Sequence, residues 1–519
     1  MSPTPTTRTD AAEPQHNLPL VIGSIAVLLL LASLDQTIVS TALPTIVADL
    51  GGLEHLSWVV TAYILTSTIA APLYGKLGDL YGRRNMVFLS VTIFLTGSAL
   101  CGLSMSMTFL IFARAVQGLG GGGLFVLALS VIGDVASPRD RAKFQGVFAG
   151  VFSLSSVAGP LIGGWFVDFA SWHWIFYVNI PFGLLAVIGF ALGFTPRGIR
   201  VKHRVDWEGA AALTVALASL TLATSLGGTV FAWTSLPSLG MFALAILAGA
   251  VFIWCESRAE EPILPLPLFR ENVFRNTSIL SFLVGAIMLG SVTFLPLYLQ
   301  ISKGLSPTAS GLMLLPMTAG VLISSNLAGL YMSWTGRYRL LPIIGLAVVT
   351  LASFRLGFID QNTGFIHFGL IILFLGLGMG AIFPVLTTAV QNDVPHRLMG
   401  TATAAGVMFR QIGGSLGVAL FGSVFAVRLA ARMGEHAGSV SPMGELGASA
   451  AALDPELREM VGAAIAHSLS PIYWIAAALA LIGVVFAWLL AEVALRTTTG
   501  EIPAKVTDAN AVVSTDESP

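Results

Sequence analysis

Charge is what this chain has least of. Lys, Arg, Asp and Glu make up 10% of its 519 residues while 55% are hydrophobic; soluble domains carry about 25% charged residues. So little charge cannot cover a surface that faces water, and most of the chain must face lipid. Net formal charge is -1, and no basic block interleaved with aromatics occurs, so no nucleic-acid partner is expected. The two cysteines, Cys101 and Cys255, fall near opposite faces of the topology below, too far apart to be bridged. His436 and His467 have Ser and Asp near them but neither metal nor triad spacing. Neither metal, cofactor nor enzymatic chemistry is expected. A G-x-x-x-x-G-K-[ST] loop is absent, which argues against nucleotide hydrolysis.

What is present is long apolar runs. A lipid-spanning helix needs about 20 mostly apolar residues, and fourteen segments qualify: 20–43, 57–77, 86–106, 109–133, 146–167, 174–195, 207–227, 237–256, 276–300, 308–332, 340–358, 365–390, 401–426 and 470–492. The pair from 207 to 256 is the least regular, interrupted by Gly227-Gly228 and Trp233-Thr234-Ser235. The N-terminal run is longer than a signal-peptide core and holds an acid, so it reads as a retained span. Lys and Arg concentrate in loops such as 75–84, 139–143 and 197–204, which places those loops and both termini inside. The polar segment 427–469 then lies outside; within it, Pro455 to Val461 reads either as a short surface helix or as linker. The division is a tail at 1–19, six helices over 20–195, a linker with two helices over 196–270, six helices over 271–495 and a tail at 496–519.

Three charged residues lie deep within spans, away from their ends. Asp35 sits inside the first, and an ionised acid there is costly enough to mark a proton or ion pathway by default. Asp35 lies about nine residues below the outer end of span one and Arg114 about six below that of span four, so at 1.5 Å per residue their depths differ by about 5 Å. They can pair, either as a fixed tie between helices or as a coupling device, since a guanidinium that approaches or withdraws alters how tightly a carboxyl holds its proton. Gln36 and Gln117 lie close enough to hydrogen-bond the pair or a substrate, or to cross-link helices. Arg410, near mid-depth in span thirteen, has no obvious acid and serves either packing or gating at the interface of the halves or substrate contact. Tyr63, Phe282, Met288, Phe294, Tyr298, Asn326 and Phe409 are candidates for a central cavity, although aromatic and Met residues also face lipid and neighbouring helices.

The chain repeats itself. Gly75-Lys76-Leu77-Gly78-Asp79-Leu80-Tyr81-Gly82-Arg83-Arg84 joins spans two and three, and Gly329 to Arg339 joins spans ten and eleven; the first glycine, the glycine seven residues on and the arginine after it match, with Ser333 standing where Asp79 stands. An internal repeat of this kind fits two six-helix halves enclosing a midplane site. The 75–84 segment resembles the loop signature of the major facilitator superfamily. Arg114-Ala115-Val116-Gln117-Gly118 resembles the fourth-helix motif of its proton-driven members, and Gly150, Ser155, Gly159-Pro160 and Gly163-Gly164 resemble the motif that marks its antiporters. Leu34-Asp35-Gln36-Thr37-Ile38-Val39 is similar to the first-helix motif of the fourteen-helix drug:proton antiporters of the QacA/EmrB type.

The resemblance covers about residues 20 to 495. It implies an all-α polytopic membrane protein of the major facilitator fold, with two helices inserted between the halves, that exports amphipathic, often cationic drugs or toxic compounds in exchange for protons and so confers antibiotic resistance. A dedicated exporter of one natural product or metabolite is the alternative. It further implies no cofactor, small-molecule substrates and protons as partners in the cell membrane, and function as a monomer. Asp35 and Arg114 would couple the proton. Gly150, Gly159, Pro160, Gly163 and Gly164 would form a hinge seal, with small-residue packing as the plainer reading. Gly75, Asp79, Gly82, Arg83 and Arg84 would form an inner gate, with Asp79 docking near Gly400-Thr401, or the arginines would serve topology alone.

Overall fold

Apolar runs that satisfy every backbone group internally fold as helices, the form lipid demands, and the computed structural model is almost wholly helical. It describes residues 17–51, 56–195, 206–228, 230–305, 307–433 and 455–496. The helices are α1 (Leu18–Leu50), α2 (Leu56–Tyr81), α3 (Arg83–Gly102), α4 (Met107–Val135), α5 (Pro138–Phe169), α6 (Trp174–Tyr177), α7 (Asn179–Gly193), α8 (Trp207–Leu226), α9 (Leu236–Glu256), α10 (Asn272–Leu297), α11 (Pro307–Leu312), α12 (Leu315–Thr335), α13 (Leu340–Leu356), α14 (Phe365–Asp393), α15 (Met399–Met433) and α16 (Pro455–Leu489). Short polar residues start several of them: Ser106, Ser137, Asp206 and Ser235 each accept a backbone N–H of the following first turn. Gly82 and Gly336, equivalent in the repeat, both have positive φ, 88° and 69°, where the chain leaves one helix for the next.

Twelve helices among the described residues are long and apolar enough to cross a membrane. Two of the fourteen expected segments fall outside that set. α13 is apolar but has 17 residues, and α5, 32 residues long with no charge between 144 and 167, has several side chains outside the described residues. The expected sixth span is divided between α6 and α7, which meet at Val178. Pro455 to Val461 is neither a separate surface helix nor a linker; it is the opening of α16. Of the 427–469 segment, 434–454 lies outside the described residues, as do 1–16 and 497–519 of the tails.

Packing follows the repeat. α4 packs on α2 and α3, and α1 on α5 and α7; in the second half α14 packs on α12 and α13, and α10 on α15 and α16. The halves meet through α2 against α15 and α5 against α12, pairings that the repeat relates to each other. Glycine sets the closest of these approaches: a Cβ at Gly120 of α4 would strike the backbone of Phe94 in α3, and one at Gly122 that of Ser67 in α2. Helices that touch at backbone distance are the mark of small-residue packing in lipid. α8 lies against both α2 and α15, with Leu213 and Leu217 in a cluster that includes Phe274, Ala402 and Ala405. α9 packs on α8 and exposes Leu244, Ile246, Leu247, Ile253 and Trp254.

Candidate functional site

Asp35 is 0% exposed and Arg114 1%, and they form an ion pair with Arg114 Nη1 2.5 Å from Asp35 Oδ2. A buried guanidinium and carboxylate persist only when their remaining donors and acceptors are filled, and here they are. Gln117, one turn along α4, donates to Asp35 Oδ1 at 2.7 Å and accepts from Arg114 at 2.7 Å. Asn179, the first residue of α7, donates to Asp35 Oδ1 at 3.2 Å and to Ser98 Oγ at 2.9 Å. Ser98 donates its hydroxyl hydrogen bond to Phe176 O, and Cys101 Sγ lies 3.5 Å from Gln117 Oε1. Arg114 Nε donates to Val59 O, and the Tyr63 ring covers the guanidinium, 4.3 Å from centroid to Cζ. Residues of six helices thus join one network, in which α4 and α7 reach the carboxylate of α1 directly. It is the single acid deep in a span among the described residues.

Asp35, Arg114, Gln117 and Tyr63 are therefore brought together. Gln36 is exposed beside them and hydrogen-bonds the Tyr63 side chain. Asn179, Ser98 and Cys101 complete the cluster without having been singled out in the sequence; the available signal was one Asn within an otherwise apolar run, two residues before Pro181. Other candidates are elsewhere. Phe294 is buried against Phe425, and Tyr298 donates its hydroxyl to Asp360 O, so both pack in the core of the second half. Asn326 is exposed and its amide is turned back to Leu322 O of its own helix. Arg410 lies between Phe125 and Phe383, well away from Asp35.

Gly159 brings α5 onto α1 next to the cluster. A Cβ there would strike Thr37 Oγ1 and lie 2.7 Å from Thr37 Cβ, and Thr37 donates to Ser155 O across the same contact. Gly150 faces Leu322 of α12, Gly163 is buried, and Gly164 has open space where a Cβ would stand. The side chain of Pro160 lies outside the described residues.

A second polar network closes one end of the bundle. Asp79 accepts the backbone N–H of Gly400 at 3.0 Å and of Thr401 at 2.7 Å, where α15 begins, a position in which the helix dipole favours an anion. Arg83 holds Asp79 at 2.7 Å and Asp134 at 2.8 Å, and His396 approaches the other Asp134 oxygen. Gly75 permits this contact, because a Cβ there would run into Ala404 and Gly400. Arg84 donates to Ala191 O of α7 and Lys76 pairs with Glu261 of the linker at 2.8 Å. Arg141 donates to Gly133 O, Ala136 O and Gln391 O, tying the ends of α4 and α14 together. Burial pushes its guanidinium down to about 10, which leaves it charged at neutral pH.

A polytopic helical bundle built as a repeat, whose buried polar residues meet between helices, has the build of a membrane transporter. The chain belongs to the Major Facilitator Superfamily, whose model matches residues 25–418, and it is a transporter and not an enzyme. It is 40% identical over 470 residues to an uncharacterized MFS-type transporter of Mycobacterium tuberculosis, covering 90% of this chain and 68% of that one. To the multidrug transporter protein MdtP of Bacillus subtilis it is 40% identical over 414 residues, covering 80% of this chain and 76% of the relative. The fold resembles that of the human organic anion transporter MFSD10, with a TM-score of 0.63 at 15% identity, covering 92% of this chain and all of that one.

Proposed function

We propose that this transporter is a proton-coupled antiporter that exports amphipathic small molecules, drugs or toxic compounds among them, across the cell membrane. The observation that carries the reading is Asp35: a lone deep acid, fully enclosed, whose partners sit on different helices. Such a group exchanges a proton only when the helices around it move, which links protonation to conformation. The driving force suffices, at about 2.3 kcal/mol per charge per 100 mV and about 1.4 kcal/mol per pH unit. Similarity to a relative named a multidrug transporter supports the substrate class.

In this reading α5 and α13 also cross the membrane, giving fourteen spans in two six-helix halves with α8 and α9 inserted, both termini are cytoplasmic, and the transporter acts as a monomer. The Asp79 network then closes the cytoplasmic end, and Gly159 seals α5 on α1 against leak. The hydrogen bonds that join the halves gather at the Asp79 end, which fits an outward-open state. The test is export from inverted vesicles under an imposed pH difference. Asp35→Asn keeps the shape and cannot titrate, so drug should still bind and no longer accumulate. Accumulation by Asp35→Asn at the wild-type level would refute the assignment.

A further inference from the structure

Asp35, Arg114 and Arg410 are the charged residues deep in spans among those described. The first two neutralise each other at 2.5 Å, which leaves one positive charge over. Arg410 lies about 16 Å along α15 from its start, and Phe125 and Phe383 about 15 Å from the corresponding ends of α4 and α14 at 1.5 Å per residue, so the three share one level near the middle of the bundle. The Arg410 guanidinium is 5.9 Å from the Phe125 centroid and 5.6 Å from that of Phe383. Its side chain is half-buried, and among the described residues no carboxylate pairs with it and no hydrogen bond reaches its nitrogens. Two aromatic faces attract a cation, but they leave the in-plane donors of the guanidinium unfilled, and those donors fit a carboxylate fork to fork. Phe125 belongs to one half and Phe383 and Arg410 to the other, so a ligand held here touches both.

We infer that Arg410, flanked by Phe125 and Phe383, is a binding subsite for amphipathic organic anions, with the guanidinium taking a carboxylate or sulfonate and the rings taking the apolar body. The inference rests on the exporter reading and reverses the charge that the family resemblance led us to expect of the substrate, since a deep region with one surplus positive charge repels cations.

The experiment measures binding of 2-naphthoate, 2-naphthamide and 2-naphthylmethylammonium to the purified full chain in detergent, with no pH gradient. Naphthoate should bind wild type tightest. Arg410→Gln should weaken naphthoate about ten- to hundredfold, the worth of a charge-assisted hydrogen bond, and leave naphthamide unchanged; Arg410→Lys, which keeps the charge without the fork, should fall between. Thermal melting without ligand checks that the variants fold, and if Arg410→Gln does not, Arg410→Lys and Phe383→Leu decide, each weakening naphthoate with folding intact. Equal or tighter binding of the naphthylmethylammonium ion, or naphthoate binding unchanged in the folded variants, overturns the inference. If naphthoate binds through Arg410 and inverted vesicles carry none of the three probes, the exporter reading fails and the subsite stands; if the vesicles export naphthamide while naphthoate shows no preference, the subsite alone fails.

Discussion

Replacing Asp79 by Asn should open the latched end of the bundle. The carboxylate accepts two backbone N–H groups of α15 from the other half, at 3.0 and 2.7 Å, while pairing with Arg83. An amide can accept one of those N–H groups but turns its own NH2 toward the other and carries no charge for the helix terminus. Hydrogen bonds to charged groups contribute about 1.5–3 kcal/mol each. Allowing for one retained neutral bond, about 3 kcal/mol of cross-half stabilisation is lost, which shifts the closed-to-open ratio about a hundredfold at 1.4 kcal/mol per tenfold. Spin labels at Tyr81→Cys and Arg397→Cys, both exposed and on opposite halves at this end, would read the change by pulsed dipolar spectroscopy. Cys101 and Cys255 are buried and need not be removed. Wild type should give one short distance and Asp79→Asn a second, longer population. A single unchanged short distance in an Asp79→Asn protein that no longer transports would refute the latch and leave Asp79 with another role.

Three further substitutions probe the packing around the cluster. Gly159→Val should abolish transport with the protein still in the membrane, because the new side chain must displace Thr37 from α5; parallel loss of melting temperature and activity would make the contact mere packing. Asn179→Leu removes a donor from both Asp35 and Ser98 and should cut pH-driven accumulation about tenfold, measured in inverted vesicles against an uncoupled drug-binding control; full accumulation would remove Asn179 from the coupling machinery. Gly120→Leu drives a side chain into the backbone of Phe94, and overpacking of that kind costs about 1–3 kcal/mol or more, so the detergent melting temperature and membrane yield should both fall.

The charged part of the site was legible because charge inside an apolar run stands out against its surroundings: Asp35, Arg114 and Gln117 are marked by their company, and the Gly75 to Arg84 loop by its repetition. Asp79 does meet Gly400 and Thr401. Asn179 was harder, since a lone amide in a span has several common uses and its depth depends on the break at Val178 between α6 and α7. Phe294 and Tyr298 carry no such mark, because an apolar helix is apolar all round and sequence then gives no signal for which face meets a cavity. The same uniformity hid the place of α8 against α2 and α15.

The glycine contacts of α4 divide the first half into two stiff pieces. α2, α3 and α4 interlock at backbone distance, whereas α1 is tied to α5 through Thr37 and Gly159. Asp35 rides on the second piece and Arg114 on the first, so their 2.5 Å contact spans the joint between them. The ion pair therefore sits where sliding at that joint is felt, and in the proton-coupled reading proposed above a proton arriving at the carboxylate would loosen the joint from the inside.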